Sequence, residues 1–157
     1  MKTLLKIAVF AIVTLIVASS SFAQEWTKEQ KEVWQVVETG WAKYKAGDVT
    51  GGMVLIHEKY QGWNAEIPLP LSKDDMKKWY DEMKDFLKVN YYFISPARIV
   101  VTDGAAVVDY YYEVETTYTW GEEKKTTDRE GKNVEFYIKE DGKWLLLGDM
   151  TVPKSVK

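Results

Sequence analysis

From Ala105 to Trp120 the sequence alternates with a period of two, and this run limits the fold more than any other feature. Its even positions are Ala106, Val108, Tyr110, Tyr112, Val114, Thr116, Tyr118 and Trp120. Its odd positions from Asp109 onward are Asp109, Tyr111, Glu113, Glu115, Thr117 and Thr119. Successive side chains of a strand point to opposite faces, so the segment presents one apolar, aromatic face and one largely polar face. Residues 90–102 read as a preceding strand bent at Pro96, and Asp103-Gly104 is a two-residue hairpin signal between the two. Residues 121–125 form a charged turn. Residues 126–139 return as a strand bulged at Gly131, and Asp141-Gly142 makes a second tight turn into a last strand over 143–152.

The cover for the apolar face lies upstream. Thr27-x-x-Gln30 can cap a helix start reciprocally. Val33, Val37, Trp41 and Tyr44 follow at helical spacing with Trp34 on their flank, and Ala46-Gly47-Asp48 ends the helix. Asp48 can cap a second, shorter helix carrying Val49, Met53 and Ile56. Residues 60–71 contain Gly62, Pro68 and Pro70 and read as an irregular or edge segment. Ser72-x-x-Asp75 opens a third helix in which Met76, Trp79, Tyr80, Met83, Phe86 and Leu87 keep a continuous apolar stripe, read as core. Helices followed by sequential antiparallel strands give an α+β domain with helices on one face of the sheet.

Residues 1–23 carry a different message. Lys2 and Lys6 precede a twelve-residue apolar run, residues 7–18, and Ser19-Ser20-Ser21-Phe22-Ala23 supplies the small residues a signal peptidase reads. The run is shorter than the ~20 residues of a membrane span. The expectation is a signal peptide cleaved after Ala23, leaving a single domain over 24–157 that is exported to a bacterial periplasm or the medium and keeps no membrane segment. No N-glycosylation sequon is present, and there is no Cys for lipid attachment.

Composition narrows the chemistry. The chain has 157 residues, with 21 Lys and Arg against 24 Asp and Glu, a formal charge of −3. It lacks the basic surplus that neutralises phosphates, so nucleic acid is not an expected partner. The absence of Cys excludes thiolate zinc, iron–sulfur clusters, thiol catalysis and disulfides, and neither a metal nor a cofactor is expected. His57, the single histidine, is placed at the end of the second helix and is the natural candidate for proton transfer near neutral pH. Asp149 lies in the apolar Leu145–Met150 stretch, where burial would raise its pKa. Alternation puts it with Leu145 and Leu147, opposite Trp144, Leu146 and Met150, hence on the outer face if the latter line the interior. Tyr110, Tyr112 and Trp120 share one strand face, with Tyr60 and Trp63 approaching from the irregular segment and Trp41 and Tyr44 from the first helix. Aromatic rings with polar tips suit a flat, mostly apolar ligand. Asp109, Glu113 and Glu115 read as a solvated face.

The order of these elements resembles the nuclear-transport-factor-2-like superfamily, in particular its SnoaL-like and ketosteroid-isomerase-like branches. The resembling features are the long first helix ending in Ala46-Gly47-Asp48, the short helix, the segment from His57 to Trp63 and the Ser72-capped helix. The long strand Ala105–Trp120 and Lys139-Glu140-Asp141-Gly142-Lys143-Trp144 complete the set. The resemblance implies a strongly curved antiparallel sheet wrapped around three N-terminal helices, a cone-shaped α+β barrel with an apolar pocket, and pairing of two copies through the outer sheet face. Counting from Gly47-Asp48 puts Gly40 where ketosteroid isomerases carry a catalytic Tyr, Asn64 where they carry the base, and Val134 where they carry a second oxyanion donor. None supplies the group required. The leading expectation is therefore a pocket that binds a small apolar molecule without that catalytic set. The alternatives are an isomerase or dehydratase working through His57 with a Tyr or Asp149, and a homodimerisation or protein-interaction module using the outer sheet face.

Overall fold

The computed structural model describes residues 25–64 and 67–154; the leader expected over 1–23 lies outside the described residues. Helix α1 (Lys28–Ala46) begins with the reciprocal cap of Thr27 and Gln30 and closes at Gly47, whose left-handed φ of 66° lets its N–H reach back to the last turn. Asp48 caps the short α2 (Val49–Met53) through the Gly51 N–H. Ser72 and Asp75 form the same reciprocal cap on α3 (Lys73–Met83).

The strands are β1 (Ile56–Asn64), β2 (Leu71–Ser72), β3 (Leu87–Thr102), β4 (Ala105–Trp120), β5 (Glu123–Glu140) and β6 (Lys143–Pro153). They form one curled, unclosed six-stranded sheet in the order β2-β1-β6-β5-β4-β3. The helices pack against its inner face. Val33, Trp34 and Val37 of α1 bury themselves against Val108, Tyr110, Tyr137 and Trp144. The fold class is the expected α+β. One pairing departs from a fully antiparallel sheet: β1 runs parallel to β6.

Several boundaries differ from the periodicity, each for a hydrogen-bonding reason. The third helix stops at Met83, and Leu87 already opens β3, because Leu87 and Val89 pair with Tyr118 and Thr116 of β4. The second helix ends at Met53, and Ile56 starts β1. The expected turn over 121–125 contracts to Gly121-Glu122, since Trp120 and Glu123 are themselves paired. The β4–β5 ladder passes Gly131 without a bulge. Gly131 is instead a close-approach position, where a Cβ would meet the Val152 carbonyl and the Tyr112 hydroxyl. The bulge lies on β6: Tyr137 pairs with Leu146 and Phe136 with Gly148, leaving Leu147 as the extra residue. The bend at Pro96 occurs as expected, as a register shift between Pro96 and Arg98.

Candidate functional site

The helices do not fill the space inside the sheet. A cavity of about 320 Å³ remains between them and β4, β5 and β6. On the helix side Val36, Val37, Gly40, Trp41 and Tyr44 of α1 line it, with Met53 of α2 and Met76, Trp79 and Tyr80 of α3. On the sheet side it meets Tyr110, Tyr112 and Val114 of β4, Asn133, Glu135 and Tyr137 of β5, and Leu146, Asp149 and Thr151 of β6. The α3 stripe read as core thus roofs a cavity, and none of its residues is fully buried. The rings are mutually braced: Trp41 stacks on Tyr92 at 5.5 Å and meets Tyr44 edge-on at 6.0 Å, and Tyr44 meets Tyr80 at 5.7 Å.

Within this aromatic wall sits a buried polar network centred on Glu135. Tyr110 donates its hydroxyl proton to Glu135 Oε1 at 2.6 Å and Tyr137 donates to Oε2 at 2.6 Å. Asn133 Nδ2 adds a third donor at 3.0 Å. Two of these donors are oriented from behind. Trp41 Nε1 donates to the Tyr110 oxygen at 2.9 Å, and Thr151 Oγ1 donates to Asn133 Oδ1 at 2.7 Å, which turns the Asn133 amide toward Glu135. Burial pushes the Glu135 carboxyl up to about 7, against the downward pull of its hydrogen bonds. Asp149 stands directly opposite on β6 and is also raised by burial, opposed by the 2.6 Å bond from the Tyr60 hydroxyl. Tyr110, Tyr137, Tyr60 and Tyr80 are all driven upward by burial, and Tyr44 is pushed up to about 12, so these five phenols stay donors.

Gly62 makes the Tyr60–Asp149 bond geometrically available. It pairs with Asp149, and a Cβ there would run into the Tyr60 hydroxyl and Asp149 Oδ1. Only a residue without a side chain lets the Tyr60 ring fold back over its own strand.

Of the residues singled out in the sequence, Trp41, Tyr44, Tyr110, Tyr112 and Asp149 line the cavity. Asp149 faces inward rather than outward because the Leu147 bulge reverses the alternation of β6. Tyr60 stands behind the wall, 1% exposed, and enters the site through its hydroxyl. Trp63 does not face the cavity. It pairs with the outward-facing Met150, is 46% exposed, and gives its indole N–H to the Ile67 carbonyl. Trp120 lies near the far end of the β4–β5 hairpin, 49% exposed and stacked on Tyr118. His57 is on β1, not at a helix end, and is not among the lining residues. Its Nε2 meets Glu140 at 3.1 Å and its Nδ1 accepts the Lys59 N–H.

The residues the sequence reading missed are Glu135, Asn133, Tyr137, Trp79 and Tyr80. Val134, the counted oxyanion position, pairs with Met150 on the outer face, and its neighbours Asn133 and Glu135 point inward. The signal was present. In an antiparallel pair, opposite residues share a face, and a two-residue turn after Trp120 sets Tyr110 against Asn133 and Val108 against Glu135. The longer turn expected over 121–125 concealed that register.

No protein-family model matches the sequence, and no curated protein sequence matches it. Solved structures do resemble the fold. A ketosteroid isomerase-like protein from Erwinia carotovora atroseptica superposes with a TM-score of 0.71 at 14% identity, covering 83% of this chain and 100% of its own. A nuclear-transport-factor-2-like protein from Cytophaga hutchinsonii gives 0.71 at 14%, with 82% and 100% covered. A putative Ca/calmodulin-dependent kinase II association domain from Exiguobacterium sibiricum gives 0.70 at 12%, with 86% and 100% covered. The chain therefore has the nuclear-transport-factor-2-like cone fold, and identities this low carry nothing further.

Proposed function

We propose that this chain is an exported small-molecule-binding protein. Its ligand lays an apolar body on the aromatic wall and directs a polar group at Glu135 and Asp149. The observation that carries the reading is an empty space of about 320 Å³ whose walls are braced rings and whose polar atoms converge on one pair of acids. Rings that served only as core would close on one another. Export rests on the pattern of residues 1–23, and an intact mass beginning at Gln24 in the secreted product checks it; a full-length mass in the membrane fraction counts against it.

Gly40 provides the test of binding. It lines the cavity, and an added Cβ there has nothing within 4 Å. Gly40→Leu fills the space without a backbone clash. Compounds from an aromatic and polycyclic panel that raise the wild-type Tm by mass action are expected to lose that effect in the variant. A panel that shifts neither protein, or both equally, removes the reading.

A second reading concerns the outer sheet face. Val100, Val107 and Phe136 pair in one row across β3, β4 and β5, and Val134, Met150 and Trp63 pair in the next across β5, β6 and β1. This patch, with Val100, Phe136, Met150 and Trp63 each near half exposed, supports pairing with a second copy. The association-domain neighbour fits that use of the fold. Catalysis through His57 has no such support, because its ring is engaged by Glu140 and the Lys59 N–H.

A further inference from the structure

Among the described residues, the two acids in the cavity face no fixed positive charge. Among the described residues neither Glu135 nor Asp149 takes part in an ion pair, and the groups that bond them are the neutral Tyr110, Tyr137, Asn133 and Tyr60. The two basic side chains that line the cavity are otherwise held. Lys43 is bonded to Asp48 at 2.6 Å. Arg129 is exposed, and its Nη2 donates to the Tyr118 hydroxyl at 2.7 Å. Glu135 and Asp149 are cross-strand neighbours on β5 and β6, a spacing that brings Cβ atoms to roughly 4.5–5.5 Å. Two carboxylates so placed repel each other, and a buried charge without a partner is costly. Among the described residues Asp149 receives one hydrogen bond, against three for Glu135. The rings of Trp41, Tyr44, Tyr80 and Tyr112 line the same space and supply an apolar wall for the body of a ligand.

Resting on the ligand-binding reading above, we propose that the cavity selects ligands bearing a protonated amine on a flat or apolar body, with the ammonium set between Glu135 and Asp149 and the body against the rings. A neutral alcohol supplies a hydrogen bond but no counter-charge. An anionic ligand meets two acids and no fixed cation beside them. The upward displacement of both carboxyls, caused by burial, fits a pair awaiting a cation. Binding an ammonium stabilises their ionised forms and therefore expels protons from the pair. Tyr60 of β1, Tyr80 of α3, Tyr110 of β4 and Tyr137 of β5 interact with the acids, Tyr44 of α1 lines the same cavity, and burial raises all five well above neutrality. Lys43 and Arg129 at the lining are engaged by Asp48 and by the Tyr118 hydroxyl. The pH response of amine binding thus belongs to Glu135 and Asp149.

The test is calorimetric titration of the protein with two matched sets: tryptamine, tryptophol and indole-3-propionate, then 2-phenylethylamine, 2-phenylethanol and 3-phenylpropionate. The amine is expected to bind roughly tenfold or more tighter than the alcohol, and the carboxylate weakest. Amine affinity should rise from about pH 5.5 to about pH 8, and in buffers of different ionisation enthalpy near pH 7 the heat should report proton release. Glu135→Gln and Asp149→Asn should each erase the amine's advantage over the alcohol and the proton release that accompanies amine binding. The proton-release readout needs no variant, so it stands if either substitution unfolds the protein. An alcohol or carboxylate that binds as tightly as its amine, or amine binding without proton release, overturns the charge selection and leaves the ligand-binding reading standing. No binding by any member of either set counts against the pocket reading itself, and this inference falls with it.

Discussion

Glu135 is a carboxyl placed where water is scarce and donors are many, and the two effects oppose each other. Burial dominates, raising it from an ordinary 4.5 to about 7. The folded chain then holds this proton more tightly than the unfolded chain, so the contribution to stability is best below about pH 4.5 and declines as pH rises to about 7. Two to three pKa units correspond to on the order of 3 kcal/mol. Asp149, also raised, acts in the same direction. The half-buried Asp48 and the exposed Asp75 and Glu58 are lowered by hydrogen bonds from Lys43 and Gly51, from Ser72, and from Lys73. They add stability as pH rises, but only below the ordinary carboxylate range. Urea unfolding at about pH 5 and about pH 8 should therefore find wild-type protein less stable at the higher pH, and Glu135→Gln should flatten the difference. A slope unchanged in that variant would assign it to other groups.

The element that decides the site is β6, and its bulge at Leu147 depends on a close contact next to it. Gly148 lies against β1, where an added Cβ would stand 2.7 Å from the Gln61 carbonyl oxygen. That neighbour is backbone and cannot swing aside. Gly148→Ala is expected to destabilise by about 1–3 kcal/mol and to weaken ligand binding, because β1 carries the Tyr60 that holds Asp149. The same substitution at Gly40 is the control. With open space around it in the middle of α1, Gly40→Ala should stabilise by ~1 kcal/mol through helix propensity. Denaturant midpoints of the two variants moving in the same direction would contradict this account of β6.

On the scale of the whole molecule, the curl of the sheet separates two apolar regions. The inner one holds the cavity. The outer one runs from Val100 through Phe136 and Met150 to Trp63, and among the described residues no helix covers it. If two copies pair there, Phe136→Lys places two like charges near a two-fold interface and should convert a sedimenting dimer to a monomer, with binding in the inner cavity retained. Wild-type protein that sediments as a monomer at tens of micromolar would end that reading.

Local signals carried a long way because each is satisfied within a few residues. The alternation of 105–120, the Thr27 and Ser72 caps, the Gly47 stop and the two Asp-Gly turns lie where the sequence puts them. Four rings of the cavity, Trp41, Tyr44, Tyr110 and Tyr112, followed from the same periodicities. What periodicity cannot carry is phase across an interruption. A single extra residue at Leu147 turned Asp149 from the outer face to the inner one, and a turn shorter than its charged composition suggested brought Asn133 and Glu135 to face the rings. The rule that polar residues point outward also failed on β5, because Tyr110, Tyr137 and Asn133 satisfy Glu135 from three directions, and those donors come from β4 and β5 together. Trp63 and Trp120 failed for the converse reason: their strands run on where none of the described helices covers them. The sequence by itself determined the three helices and the run of strands β3 to β6, but not β1, whose residues it divided between a helix end and an irregular segment. Only the packing of those segments, through register, bulge and the reach of hydrogen bonds between strands, decided which side chains share the cavity.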